Sequence, residues 1–193
     1  MCIPVFKQMK FFIGLLVIFL ALIGAGFYYY YTTGNTFGLD KTFLTHPTID
    51  VSSTEFVNGA AIPQKFTCDD ADTNPPFLFD RVTPDAKSLV FIAEDVDIKP
   101  VFTHWIIFNI DPKTINIDRP SDLTGASIGT NSFGKMEYDG PCPPKNSTHK
   151  YYFRLYALDT MLNLPEGAKR SEIDAAIKGH KLGWGEMFGT YSR

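Results

Sequence analysis

The stretch SLVFIAEDVDIKPVFTHWIIFNI, residues 88–110, indicates the fold class of this chain. Residues 88–93 are a continuous apolar run suited to a buried strand, and residues 103–110 are a second run, rich in β-branched and aromatic side chains. Turn-forming clusters of Pro, Gly, Asn and Asp punctuate the chain around them. A helical pattern appears only late, where Ser171 suits the N-cap and Gly179 the exit. Many strands with one short helix predict a mostly β fold, an antiparallel sandwich or barrel.

The bulk composition indicates one globular domain and argues against a nucleic-acid-binding protein. A chain of 193 residues fits one or two domains. Residues 48–193 hold 15 basic and 20 acidic residues, a formal net charge of −5, without a basic stripe. Because neutralising the phosphate backbone of a nucleic acid needs clustered Lys and Arg, we predict no nucleic-acid partner. The 17 Phe and 9 Tyr are ample for a packed core.

The N-terminal region carries a long apolar segment. Residues 11–31 contain no charged side chain, and about 20 such residues cross a bilayer core of roughly 30 Å as a helix. Lys7 and Lys10 precede the segment, which places the N-terminus in the cytoplasm and the domain outside. The competing interpretation is a signal peptide cleaved near residues 24–26, which gives a secreted or periplasmic domain.

We favour the uncleaved anchor, because the apolar run continues past that cleavage site into four tyrosines. The segment that follows has no sustained periodicity and is interpreted as a tether. The predicted division of the chain is a cytoplasmic N-terminus at 1–10, a transmembrane signal-anchor at 11–31, a linker at 32–47 and a globular domain at 48–193.

Two of the three cysteines fall in the globular region. Cys2 precedes the apolar segment, which leaves Cys68 and Cys142 as a pair. A Cys68–Cys142 disulfide is a reasonable hypothesis if the domain faces an oxidising compartment. Two reduced, partly buried thiols are the alternative. Neither cysteine lies in a C-x-x-C arrangement, which makes a metal site less favourable.

A rigid loop followed by a strand predicts a small binding pocket. Residues 140–144, Gly-Pro-Cys-Pro-Pro, form a stiff loop with few amide donors, because each proline fixes φ and lacks an N–H. Residues 149–156 form an aromatic-rich strand. Residues two apart on a strand share a face, so His149 and Tyr151 point the same way.

A second wall of this pocket is expected from Asp95, Asp97 and His104. The two carboxylates follow the strand at 88–93, and His104 lies near the start of the next strand. By strand alternation His104, Ile106 and Phe108 share one face. In the alternative interpretation, the two acids shape a turn and His104 is a hydrogen-bonded core residue.

Three kinds of chemistry are compatible with two histidines, a tyrosine and an acid. The first is anion binding by imidazolium, hydroxyl and main-chain N–H groups. The second is metal binding, because two histidines and an aspartate resemble a facial triad. The third is general acid–base catalysis. No G-x-S-x-G or H-E-x-x-H motif is present, so the enzyme interpretations lack a nucleophile or a specific ligand spacing.

An ordered series of motifs resembles the phosphatidylethanolamine-binding protein family, also called Raf kinase inhibitor protein-like, and most closely its bacterial-type branch. Each motif is weak alone, whereas the series is highly specific and extends over almost all of the globular region. The motifs include Ser53-x-x-Phe56-x-x-Gly59, Phe66-Thr67-Cys68-Asp69, Asp95-Val96-Asp97, His104-Trp105, Gly129-x-Asn131-x-Phe133-Gly134, Tyr138-x-Gly140-Pro141-Cys142-Pro143-Pro144, His149-Lys150-Tyr151 and Gly189-Thr190-Tyr191-x-Arg193.

The resemblance implies a Greek-key sandwich of two antiparallel sheets with few helices and a pocket for phosphate-like anions, including phospholipid headgroups. The expected function is therefore a membrane-tethered anion-binding protein, with a kinase or protease as a partner that it inhibits or scaffolds. A small hydrolase or metalloenzyme using the same residues is the alternative. No catalytic residue, metal ligand or cofactor is assigned. The ligand-binding residues carried over by motif are Asp95, His104, Gly140, Pro141, Cys142, Pro143, Pro144, His149 and Tyr151.

Overall fold

The computed structural model describes residues 48–119 and 123–193. These residues form eight strands and one α-helix, with a short 3₁₀ helix at Gln64–Phe66. The elements in chain order are β1 (Asp50–Ser52), β2 (Phe77–Asp80), β3 (Ser88–Asp95), β4 (Phe102–Ile110), β5 (Asn116–Ile117), β6 (Ser127–Ile128), β7 (Thr148–Leu158), α1 (Arg170–Ile177) and β8 (Lys181–Ser192).

The strands form two antiparallel sheets. One has three strands in the order β1-β2-β5, and the other has five in the order β6-β4-β3-β7-β8. The predictions of a mostly β fold, of strands over residues 88–93, 103–110 and 149–156, and of a single late helix are confirmed. Strand β3 continues two residues further than predicted, because the main chain at Asp95 pairs with strands on both sides.

The two sheets pack against each other through aromatic side chains. Phe77 of the smaller sheet lies 4.8 Å from Phe91 and 4.6 Å from Phe153 of the larger sheet, measured between ring centroids. Trp105 and Ile117 are fully buried in the same cluster. Burial of each such side chain contributes about 1.5–3 kcal/mol, so this layer is a main source of stability for the domain.

Helix α1 covers the opposite face of the larger sheet. Ile173 and Ile177 of the helix are buried with Val90, Ile106 and Phe108 of the sheet. The five-stranded sheet is therefore covered on both faces, which explains why every residue of β3 is buried.

The helix begins earlier than the sequence indicates. Lys169 is the N-cap, and its main-chain N–H donates to the Glu172 carboxylate at 2.7 Å. Ser171 therefore lies inside the helix, and the prediction that it caps the helix is wrong. The acidic residue three positions after the cap satisfies the free amide and fixes the start. Gly179 follows the helix with φ of +82°, which confirms the predicted exit.

The predicted transmembrane segment at residues 11–31 and the linker at 32–47 lie outside the described residues. Within the described ranges, none of the helices combines the length and the apolar character that crossing a bilayer requires.

Candidate functional site

The candidate site lies where the end of β3 meets the beginnings of β4 and β7. Asp95, the last residue of β3, pairs directly with Tyr151 of β7, and His149 lies two residues away on the same face. The Asp95 carboxylate accepts a hydrogen bond from His149 Nδ1 at 2.6 Å. Asp95 is 1% exposed, so this contact is shielded from water. The predicted meeting of Asp95, His149 and Tyr151 is present in the structure.

The second oxygen of the Asp95 carboxylate is used within the turn. It accepts the main-chain N–H of Asp97 at 2.9 Å. The Asp97 carboxylate in turn accepts the N–H of Lys150 at 2.7 Å. Asp97 thus shapes the turn and holds it against β7, while Asp95 orients the imidazole of His149.

A β-bulge delivers His104 to the same place. Trp105 pairs with Ala93 and Thr103 pairs with Glu94, so His104 is an extra residue in β4 with no partner in β3. A bulge interrupts the alternation of side chains. His104 therefore points toward Tyr151 rather than to the face that carries Ile106, which is buried against α1. The prediction that His104 shares a face with Ile106 and Phe108 is wrong for this reason.

The orientation of the His104 ring is set by the main chain. His104 Nδ1 lies 2.6 Å from the carbonyl oxygen of Asp139. A carbonyl only accepts hydrogen bonds, so Nδ1 carries the hydrogen. The same reasoning applies to His149, whose Nδ1 faces the Asp95 carboxylate. In both rings Nε2 is the nitrogen that remains for a ligand.

Tyr151 lies between the two imidazoles. Its ring centroid is 5.3 Å from that of His104 and 6.5 Å from that of His149. Burial raises the pKa of Tyr151 far above its ordinary range, and the charge of Asp95 raises it further, although the Cys142 amide opposes the shift. The phenol therefore stays protonated and is a hydrogen-bond donor around neutral pH.

Burial also affects His104, which is 5% exposed. Desolvation lowers the pKa of His104 below its ordinary value of 6.5, and the hydrogen bond to Asp139 and the nearby carboxylates oppose this only in part. The ring is consequently neutral near pH 7 in the absence of a ligand. A negative charge placed beside Nε2 would favour the protonated ring.

The loop at residues 140–144 is held rigidly beside these side chains. Pro141 and Pro143 are buried, whereas Cys142 and Pro144 are exposed. Cys142 forms a disulfide with Cys68, so the disulfide hypothesis is confirmed and the alternative of two free thiols is not. The loop thus joins the site to the segment that follows the 3₁₀ helix.

Gly140 is required at the start of this loop because the main chains approach closely. A Cβ atom there would lie 2.3 Å from the carbonyl oxygen of Phe66 and 2.5 Å from the carboxylate of Asp72. The Gly140 N–H donates to that same carboxylate at 2.8 Å. No side chain fits without moving the loop.

Sequence reasoning missed Asn131, which supports His104 from behind. Its amide group donates to the carbonyl of His104 at 3.3 Å and to the carboxylate of Asp139 at 2.6 Å. Its carbonyl accepts the main-chain N–H of Phe133 at 3.0 Å. Phe133 is half-exposed, and its ring contacts that of His104. The motif around Asn131 was a usable signal, but nothing in it indicated a link to His104.

The structure thus brings together four predicted residues, Asp95, His104, His149 and Tyr151, and places the 140–144 loop against them. Ligand binding at these residues stays a prediction. Within residues 48–119 and 123–193, no group of three or more His, Cys, Asp and Glu side chains is arranged to hold a metal ion.

Comparisons with known proteins agree with this architecture. The family described as phosphatidylethanolamine-binding protein matches residues 52–192. A UPF0098 protein of Pyrococcus horikoshii is 41% identical over 152 residues, which cover 73% of this chain and 75% of that protein.

Two solved structures share the fold. A protein of Chlamydia trachomatis described as a homolog of phosphatidylethanolamine-binding protein is 35% identical, with a TM-score of 0.71 over 77% of this chain and 99% of that one. The YbcL protein of E. coli, described as a new member of the mammalian family, has a TM-score of 0.70 over 76% and 99% of the two chains. Its identity of 23% supports the fold alone.

The family match covers well over half of the chain, and relatives from archaea and bacteria are 35% to 45% identical over about three quarters of it. The resemblance inferred from the motifs is confirmed, and the chain belongs to the phosphatidylethanolamine-binding protein family.

Proposed function

We propose that this chain is a binding protein for a phosphate-like anion, which it holds between His104 and His149. The observation that carries the proposal is the shared orientation of the two rings. Both use Nδ1 to bind a fixed acceptor, and both lie against a phenol that remains protonated. Two Nε2 atoms are thereby left for a single small guest, next to a phenol whose hydroxyl is also hydrogen-bonded to Asp95 and Cys142.

The two imidazoles suit an anion that shares a proton with a ring nitrogen. An imidazolium Nε2–H donates to a ligand oxygen, and a neutral Nε2 accepts from a protonated one. In both cases the complex holds a proton between ring and ligand. Burial keeps His104 neutral before binding, so its ring can take up this proton when the anion binds. Binding should therefore be accompanied by proton uptake near neutral pH.

The proposal extends to the setting of the domain. Residues 11–31 anchor the chain in a membrane, the linker at 32–47 tethers the domain, and the site faces a phosphorylated ligand or a phospholipid headgroup outside the cytoplasm. A protein partner such as a kinase or protease belongs to the same proposal. Greek-key winding of the two sheets belongs to the same set of predictions.

Titration calorimetry with inorganic phosphate and with phosphoethanolamine tests the proposal. The wild-type domain is expected to bind at least one of the two, with a heat that changes between buffers of different ionisation enthalpy. His104→Gln and His149→Gln should each weaken binding about tenfold or more, because each removes one charge-assisted contact. His180→Gln is the matched control, since that histidine also pairs with an aspartate but lies on the surface.

Absence of binding by both anions, or binding that survives both histidine substitutions, would contradict the proposal. Equal losses for His180→Gln and His149→Gln would show a general effect on folding rather than a site. Phosphate and phosphoethanolamine are measured separately, because a preference for one of them distinguishes a free anion from a phospholipid headgroup as the ligand.

The Asp95–His149 contact also supports a second candidate, a hydrolase in which His149 acts as a general base. A carboxylate on Nδ1 fixes the ring and stabilises its protonated form, as in catalytic acid–base pairs. Turnover of p-nitrophenyl acetate and p-nitrophenyl phosphate, with metal analysis of the purified chain, tests this candidate. Turnover lost in His149→Gln and retained in His180→Gln would favour the enzyme.

A further inference from the structure

We propose that the Cys68–Cys142 disulfide is a thiol-exchange site at which an external small thiol joins to Cys68 and Cys142 leaves as the thiolate. The inference goes beyond anion binding and does not depend on it. It rests on the exposure of the two cysteines and on the unequal charges around them.

Both cysteines are accessible. Cys68 and Cys142 are exposed residues, each in a loop rather than within a strand. Exchange requires a thiolate to reach one sulfur in line with the sulfur–sulfur bond, which a buried disulfide prevents. The surface position of this disulfide removes that barrier.

A guanidinium contacts one sulfur of the pair. Arg193 Nη1 donates to Cys142 Sγ at 3.2 Å. A neighbouring arginine stabilises a thiolate more than a thiol and makes that sulfur the better leaving group. The same guanidinium lies against the Cys142 sulfur, which favours attack on Cys68.

One acidic side chain distinguishes the surroundings of Cys68. Asp69 pairs with Arg193 and Asp72 accepts the N–H of Gly140 in the Cys142 loop, whereas Asp70 is an exposed residue two positions after Cys68. A negative charge disfavours a thiolate at Cys68. The two sulfurs are therefore unequal, with the developing negative charge better accommodated on Cys142.

The position of Arg193 is fixed by several contacts. Its Nη2 lies 3.0 Å from the Asp69 carboxylate, and its main-chain N–H donates to the carbonyl of Ser147. The other oxygen of Asp69 accepts the Tyr191 hydroxyl at 2.8 Å. The guanidinium thus stays near Cys142 through contacts that do not involve the disulfide.

The exchange step balances without another reactant. The external thiol loses its proton to water, and its sulfur forms a bond to Cys68 Sγ. The bond between the two cysteine sulfurs breaks, and its electron pair stays on Cys142 Sγ as a thiolate beside Arg193. A second thiol then attacks the mixed disulfide and leaves two cysteine thiols and an external disulfide. In the reverse direction, the Cys142 thiolate attacks the mixed disulfide and restores the bond.

Peptide mapping of the full chain tests the assignment. After brief exposure to 2-mercaptoethanol and an acid quench, the adduct should lie mainly on Cys68. After full reduction, iodoacetamide at pH 7 should label Cys142 faster than Cys68 by about three- to fivefold, because alkylation follows the thiolate fraction. The ratio should approach one near pH 10, where both thiols are ionised. Cys2 is followed on its own peptide.

Arg193→Gln should abolish the preference for Cys142 and leave the Cys68 rate unchanged, while Arg193→Lys should retain part of it. Arg81→Gln, an exposed arginine that pairs with Asp50, is the matched control and should change neither rate. The inference is overturned if Cys68 reacts faster, if the adduct lies on Cys142, or if the ratio is the same at both pH values. Persistence of the preference in Arg193→Gln would also overturn it.

Discussion

Glu94 and Asp95 are adjacent on β3, are each 1% exposed, and point to opposite faces of the same sheet. The Glu94 carboxylate is bound by the guanidinium groups of Arg154 and Arg170. The Asp95 carboxylate is bound by a main-chain N–H and by the imidazole of His149. Two buried acids on one strand thus have different kinds of partner.

These partners distinguish a charge cluster with a structural role, around Glu94, from a group of contacts around Asp95 that a ligand can change. Guanidinium groups stay protonated at any pH that the protein survives, so the charges around Glu94 are fixed. The partners of Asp95 are a main-chain N–H and an imidazole whose Nε2 is left for a ligand, so the contacts around Asp95 can respond to binding. We infer that the charge cluster around Glu94 maintains the fold and that the contacts of Asp95 at the end of the strand are suited to binding.

The largest effect is expected when the fixed cluster loses its cations. The double variant Arg154→Met/Arg170→Met leaves Glu94 buried without a counter-charge, which should lower the free energy of unfolding by about 3–5 kcal/mol. Urea denaturation measures the loss. The triple variant that adds Glu94→Met should regain most of it, because no buried charge is then left. A triple variant as unstable as the double variant would show that the arginines act through packing instead.

A smaller effect is expected on the other face. Asp95→Asn should reduce phosphate affinity about tenfold, or about 1.4 kcal/mol, because an uncharged amide holds the Nδ1–H of His149 by a weaker hydrogen bond and orients the ring less firmly. The free energy of unfolding should fall by less than in the arginine double variant, since an amide can still occupy the site. Calorimetry and urea denaturation on one preparation compare the two losses. Unchanged affinity would remove Asp95 from the proposed site.

The free energy of unfolding should depend on pH through His104. Burial lowers the pKa of His104, so the unfolded chain protonates this ring at higher pH than the folded chain does. Its contribution to stability is present above about pH 6.5 and is lost as pH falls through the lower folded value.

Binding of an anion acts in the opposite direction, because it favours the protonated ring. Affinity for sulfate, whose charge is constant here, should rise severalfold between about pH 7.5 and 5.5. His104→Gln should flatten the rise. A rise of the same size in that variant would assign the response to another group.

The smallest effect concerns a His–Asp pair in water. His180 and Asp159 lie 2.8 Å apart, but the side chains are 47% and 31% exposed. His180→Gln should change the free energy of unfolding by less than about 1 kcal/mol, because solvent screens exposed pairs. Thermal unfolding at two salt concentrations checks this expectation. If His180→Gln lowered the free energy of unfolding as much as Asp95→Asn does, burial would not explain the difference between the two His–Asp pairs.

Much of this picture could be predicted from local patterns. The apolar run at 88–93 and the aromatic strand at 149–156 indicated β structure, and alternation placed His149 beside Tyr151. The orientation of His104 could not be predicted, because a bulge arises from pairing between strands and leaves no periodic trace in one of them. The contacts of Glu94 with Arg154 and Arg170 could not be predicted for a similar reason, since they join three separate elements. The role of Asn131 depends on main-chain atoms that a sequence does not specify.

The extra residue in β4 frees one main-chain carbonyl from the sheet. Trp105 and Thr103 pair with consecutive residues of β3, and the carbonyl of His104 instead accepts the Asn131 amide and the main-chain N–H of Asp139. The ring of the same residue binds the Asp139 carbonyl through Nδ1. Deleting His104 would therefore remove the imidazole and the attachment of the 131–139 segment together, so the ring can be exchanged by substitution but not by deletion.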